Sequence, residues 1–171
     1  MMMSKNFKEL VFLDIETVSS APSFEALEEA IAPFWLKKAG MMGAKTEEEQ
    51  KALYFEKAGI FAEFGKIVTI AWGKIVSSEK GDHVLHVKGI SDHQEEILLE
   101  TFKKELENFS SPGLRLCGHN IKEFDIPYIS RRMIVHGIPL PAVLDVAGKK
   151  PWEVNYIDTM ELWKFGDRKN Y

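Results

Sequence analysis

At 171 residues, with 45% apolar and 28% charged positions, the chain carries enough apolar side chains for one compact domain with a sizeable core. A formal charge of -4 argues against a broad basic footprint that would hold duplex DNA through many phosphates. No stretch approaches the ~20 apolar residues of a membrane helix, and the N-terminal MMMSKNFKELVFLDIET meets charges too early for a signal peptide, so no membrane association and a cytoplasmic location are expected.

The first predicted element is a strand over Lys8 to Ile15, with Val11, Leu13 and Ile15 on one face and Phe12, Asp14 and Glu16 on the other. From Ser19 to Phe64 the pattern turns helical. Ser23 is placed to cap a helix carrying Phe24, Leu27, Ile31 and Phe34 and ending by Gly40. Thr46 and Glu49 have the spacing of a capping box for a second helix, with Leu53 and Phe55 as its apolar positions and Gly59 as a left-handed terminal residue. Trp35, Trp72, Met41 and Met42 are expected in packing, although the helical segment has the alternative of lying over a bound strand.

KIVTIAWGKIV, residues 66–76, and HVLHVKGI, residues 83–90, are β-branched and apolar enough to pair as a hairpin across the turn SSEKGD. Ser91 and Gln94 repeat the capping-box spacing before an amphipathic helix with Ile97, Leu98, Phe102, Leu106 and Phe109, broken by SSPG. LRLCG then reads as a short strand. Its Cys117, the only cysteine, reads as a small buried hydrophobe. Phe124 to Val135 is predicted as a helix closed by Gly137, VNYID as a strand, and TMELWKF as the start of a last helix.

This order predicts an α/β fold: a mixed sheet made of an antiparallel meander plus parallel strands, flanked by helices, with a helical insert over about residues 20–62 after the first strand. It resembles the ribonuclease H-like fold. One domain over residues 1–171 is expected.

Two acids on one face of an apolar strand, Asp14 and Glu16, repel each other and are costly to desolvate unless a cation lies between them. Oxygen-only ligands suit Mg²⁺ or Mn²⁺, against the plainer alternative of a structural salt bridge to a lysine. A third acid should converge from elsewhere, and Asp125 in GHNIKEFDIPYISRR is the candidate. An acid in a first helical turn is also favoured by the helix dipole, so capping alone explains Asp125 equally well. It does not explain His119 and Asn120, a polar pair at the carboxyl edge of a strand, where open sheets present ligand sites. His83 and His86 point to opposite strand faces, and His93 and His136 are expected in solvent.

Asp14-Ile15-Glu16-Thr17, together with Asn120 and the Phe124-Asp125 pair, resembles the first two motifs of DEDD-type 3'-5' exonucleases, and the chain from about Phe7 to Tyr171 resembles the stand-alone bacterial proteins similar to the proofreading domain of family-B DNA polymerases. The resemblance implies hydrolysis of a phosphodiester at the 3' end of single-stranded DNA with two divalent cations, Mg²⁺ or Mn²⁺. It implies Asp14, Glu16 and Asp125 as catalytic metal ligands, and Thr17, His119, Asn120 and Phe124 as substrate contacts; Phe124 has core packing as its alternative. RNA remains open as a substrate, and a polymerase partner is not identified. Acidity is no obstacle, because bound ions supply positive charge locally. The family's third motif, Tyr-x-x-x-Asp or His-x-x-x-Asp, is not found before Tyr171, so the chain is expected to be a fragment ending short of it. In the resemblance Asp158 has a supporting role rather than that of the fourth ligand. Two rivals stand beside this reading. An aspartyl-nucleophile phosphatase, whose strand ends in Asp-x-Asp-x-Thr, fits poorly, since here the second acid is Glu16, Thr17 follows it at once, and Gly166-Asp167 lacks an acid three or four residues on. A non-catalytic nucleic-acid-binding remnant would have less use for three acids facing phosphates.

Overall fold

The computed structural model describes residues 7–77, 82–109 and 113–167. Most of the SSEKGD and SSPG turns and the chain end from residue 168 lie outside them. The chain divides into two compact units, one of residues 1–15 and 69–171 and one of residues 16–68.

The first unit is organised by a sheet with strand order β3-β2-β1-β4-β5. Strand β1 is Leu10–Ser19, β2 Gly65–Ser77, β3 His83–Ser91, β4 Arg115–Gly118 and β5 Ile157–Asp158; β1 and β2 both continue into the second unit. The β2-β3 hairpin is antiparallel, with Gly73 opposite Val87, whereas β4 runs parallel to β1 and to β5. The sheet is therefore mixed and flanked by helices, the α/β class of antiparallel hairpin plus parallel strands expected from the order of elements. Val11, Leu13 and Ile15 are buried while Asp14 and Glu16 are exposed, the alternation a pleated strand imposes.

Helix α3, Glu95–Asn108, buries Leu98, Leu99, Phe102 and Leu106, with Phe102 meeting Trp72 of β2 at a ring separation of 5.7 Å. Helix α4, Asp125–Val135, buries Ile126, Ile129 and Met133 and is closed by Gly137 at φ +67°. The expected Ser91 cap of α3 does not form. Ser91 stays in β3, its hydroxyl 2.8 Å from that of Thr69, and Asp92 instead accepts the Gln94 N–H at 2.8 Å. Ile97 faces solvent. β5 is shorter than VNYID because β4 pairs with it only at Cys117 and Gly118. Asp158 caps α5, Thr159–Lys164.

In the second unit Ser23 begins only one 3-10 turn, Phe24–Ala26, and α1 is Ala32–Met41. Pro33 is the reason: without an amide hydrogen it suits a first turn and breaks an interior. Helix α2, Glu47–Lys57, has the expected capping box, Glu49 N–H donating to Thr46 Oγ1 at 3.2 Å and Thr46 N–H to Glu49 Oε2 at 3.2 Å. Its core-facing aromatic is Tyr54, not Phe55, which is 80% exposed. Tyr54 packs edge-on against Trp35, and its hydroxyl accepts the Ala21 N–H at 3.1 Å. Trp35 and Trp72 are buried as expected, but Met41 and Met42 are exposed. Gly59 is not left-handed; a Cβ there would meet the Val18 backbone at 3.1 Å, so close chain approach is what requires it. Among the described residues no helix is long and apolar enough to cross a membrane.

Candidate active site

Asp14 is exposed on β1, and Glu16, also exposed, follows two residues along the same strand where the second unit begins. Because both stand in water, the expected cost of desolvating them is absent, and what distinguishes them is shared orientation. Neither side chain has a hydrogen-bond or ion-pair partner among the described residues. Thr17, the next residue, is half-buried.

Asp125 is brought to β1 by the short β4 strand and the turn that follows it. It is the first residue of α4 and 3% exposed, and its Oδ1 accepts the N–H of Ile15 at 3.1 Å. Helix capping alone does not account for this bond, which ties the head of α4 to the residue beside Asp14. Burial pushes the Asp125 carboxyl up to about 6, with the negative charges of Asp14 and Asp158 adding to the rise and hydrogen bonds from its own and the Ile15 backbone opposing it. Asp14 and Asp158 both act on this buried carboxylate, and a hard cation would offset their shared negative charge. The donor chemistry therefore fits Mg²⁺ or Mn²⁺, although among the described residues no three His, Cys, Asp or Glu side chains form a ready cage.

The turn between β4 and α4 carries the remaining polar candidates. Gly118 starts it at a position where a Cβ would lie 2.7 Å from the Leu13 carbonyl oxygen, so only glycine lets β4 approach β1 so closely. His119 is exposed and Asn120 half-buried with φ +59°, a left-handed conformation that asparagine tolerates better than most residues. Phe124 is half-buried and packs on Tyr128 at a ring separation of 5.4 Å. Asp158, 3% exposed, accepts the N–H groups of Asn120 (2.9 Å), Lys122 (3.2 Å) and Met160 (2.9 Å), so its carboxylate is occupied in holding this turn.

A second polar cluster joins α3 to α4. Glu95, 6% exposed, takes Arg132 Nε on both carboxylate oxygens at 3.0 Å and His136 Nε2 at 2.9 Å. His136 is thus partnered with a buried acid rather than solvated. The periodicity contained the signal for Glu95, which occupies the same stripe as Leu98, Leu99, Phe102 and Leu106. A groove of about 550 Å³ along α4, lined by Ile126, Arg131, Leu144 and Tyr156 among others, includes none of the three acids. Cys117 is buried, and burial raises its thiol pKa, as a packing role requires.

No curated protein matches the chain. Among solved structures, the family B DNA polymerase from the hyperthermophilic archaeon Pyrobaculum calidifontis is similar at 15% identity and a TM-score of 0.42, over 91% of this chain. The chain spans 16% of the length of that polymerase. The model of the family described as predicted 3'-5' exonucleases related to the exonuclease domain of PolB matches residues 60–167. That match takes in the β2-β3 hairpin, the turn with His119 and Asn120, Asp125 and the Asp158-Thr159 pair, and by it the chain belongs to this family of predicted 3'-5' exonucleases related to the exonuclease domain of PolB.

Proposed function

We propose that the chain removes nucleotides from the 3' end of single-stranded DNA by metal-dependent phosphodiester hydrolysis, as one exonuclease domain whose helical insert is the second compact unit. The observation that carries this reading is the Ile15 N–H to Asp125 Oδ1 bond, which sets a buried acid against the strand residue next to Asp14. Asp14, Glu16 and Asp125 would hold two Mg²⁺ or Mn²⁺ ions. When bound, such ions lower the pKa of an attacking water and neutralise charge on the entering and leaving oxygens.

The protein side of the chemistry is positioning. Asp125 is fixed by the Ile15 N–H on Oδ1 and by its place at the head of α4. Thr17, His119 and Asn120 supply polar contacts to the terminal nucleotide, and Phe124 offers a ring edge for a sugar or base. A frayed single strand suits such a site better than a duplex end, whose terminal pair must first open.

The test is Mn²⁺-dependent shortening of a 5'-labelled single-stranded DNA, with Asp14→Ala and a matched RNA alongside. A ladder receding from the 3' end and absent in the variant is expected. A ladder of equal intensity from the variant overturns the assignment of the acids; faster loss of the RNA transfers the reading to RNA; binding without cleavage leaves a nucleic-acid-binding domain.

A further inference from the structure

The Asp158-Thr159 pair contacts the turn carrying His119 and Asn120 at four places. Asp158 Oδ1 accepts the Asn120 N–H at 2.9 Å and Oδ2 the Lys122 N–H at 3.2 Å. Thr159 Oγ1 donates to the Gly118 carbonyl at 3.1 Å and lies 3.1 Å from His119 Nδ1. A hydroxyl has one hydrogen. Giving it to the Gly118 carbonyl, which can only accept, leaves Thr159 to accept from His119, and this arrangement satisfies both contacts with a proton on Nδ1. The nitrogen left over, Nε2, belongs to an exposed side chain, and in neutral imidazole it is an acceptor. Asn120, meanwhile, keeps its left-handed φ of +59° while its amide is held by a buried carboxylate.

We propose that Asp158 and Thr159 are positioning residues that clamp residues 118–122 and lock His119 in the tautomer whose Nε2 accepts a hydrogen bond from a donor on the bound nucleic acid, a sugar hydroxyl or a base amino group. This rests on the exonuclease reading for the identity of the ligand, but the clamp and the tautomer do not depend on catalysis. Neither residue touches substrate. Their effect is transmitted through His119 and Asn120, so it belongs to binding more than to turnover.

The experiment compares the full chain with Asp158→Asn and Thr159→Val, the second being close to isosteric and retaining fold if the first does not. Long-range proton–nitrogen correlation spectra of the His119 ring read the tautomer directly, and amide exchange reads the clamp. The wild type should show protonated Nδ1 with free Nε2. Thr159→Val should lose that pattern, and Asp158→Asn should lose protection at Asn120 and Lys122 while the amides of α4 from Ile129 to Arg132 keep theirs. For cleavage of a labelled mixed-sequence oligodeoxynucleotide, either variant should raise KM by roughly tenfold with a smaller change in kcat, and the loss should be non-additive with His119→Ala. Fluorescence anisotropy of the same oligonucleotide with Ca²⁺ should show the same weakening. Protonated Nε2 in the wild type, retained protection in Asp158→Asn, or unchanged oligonucleotide affinity in Thr159→Val would each overturn the proposal. A wild type with the expected spectra that neither cleaves nor binds the oligonucleotide would instead sink the exonuclease reading and the ligand assigned here, while the clamp itself would stand.

Discussion

Burial of the Asp125 carboxyl at the head of α4 raises its pKa from 3.8 to about 6, with the charges of Asp14 and Asp158 adding to the rise. The consequence for stability has a definite sign. Between those two pH values the folded protein binds more protons than the unfolded chain, so stability falls as pH rises through the window and the full penalty is present above it. In the metal-free protein, Asp125→Asn should therefore raise the unfolding free energy at neutral pH by up to about 3 kcal/mol, at ~1.4 kcal/mol per pKa unit. It should also flatten the slope between about pH 4 and 6, as urea unfolding across that range would show. A slope equal to the wild type's would remove Asp125 as its source. Asp14→Ala takes away one of the charges that raise Asp125, so its apo stability should be unchanged or higher by the same measurement, while metal-dependent cleavage disappears. At this scale much of the candidate site was legible. Asp14 and Glu16 share a face by strand stereochemistry alone, and Asp125 stood out as an acid opening a helix. What no local pattern encodes is that Asp125 bonds to a residue 110 positions away.

Two elements depend on polar groups at their ends. The first turn of α3 and the last turn of α4 are joined by Glu95, Arg132 and His136, with side-chain exposures of 5%, 12% and 25%. Removing the acid strands two cationic or polar partners in a poorly hydrated place, so Glu95→Ala should cost roughly 3–5 kcal/mol in urea unfolding. Replacing Glu95 and Arg132 together by Met should cost markedly less, because no unpaired charge is left. A single variant as mild as the double one would show that the pair is effectively solvated. The capping box of α2 is smaller and exposed, and Thr46→Ala should lower stability by about 1 kcal/mol. Legibility at this scale divided along the same line. Thr46 with Glu49 was correctly read because a box is closed within four residues. Ser91 with Gln94 had the same spacing and formed no box, because hairpin pairing holds Ser91 in β3, opposite Thr69.

For the molecule as a whole, a net charge of -4 and scattered basic pairs leave little long-range attraction for nucleic acid. Binding of a single strand should thus release few counterions: the slope of log affinity against log salt should be no steeper than about -2, at ~0.7 per phosphate neutralised, as anisotropy titrations over a range of salt would measure. A slope several times steeper would mean a basic track that the charge pattern does not suggest. The sequence by itself determined the order of helices and strands, the hairpin of β2 and β3, the alternation along β1 and the family, since periods of 2 and 3.6 and short motifs are local properties of a chain. Tertiary structure alone decided that Asp125 is buried against Ile15, that Glu95 faces Arg132 and His136, and that Asp158 holds Asn120 from 38 residues away. The Asp125 and Asp158 pairings follow from the order of strands in the sheet, which sets whose backbone amide a distant carboxylate meets, and that of Glu95 from the packing of α3 beside α4.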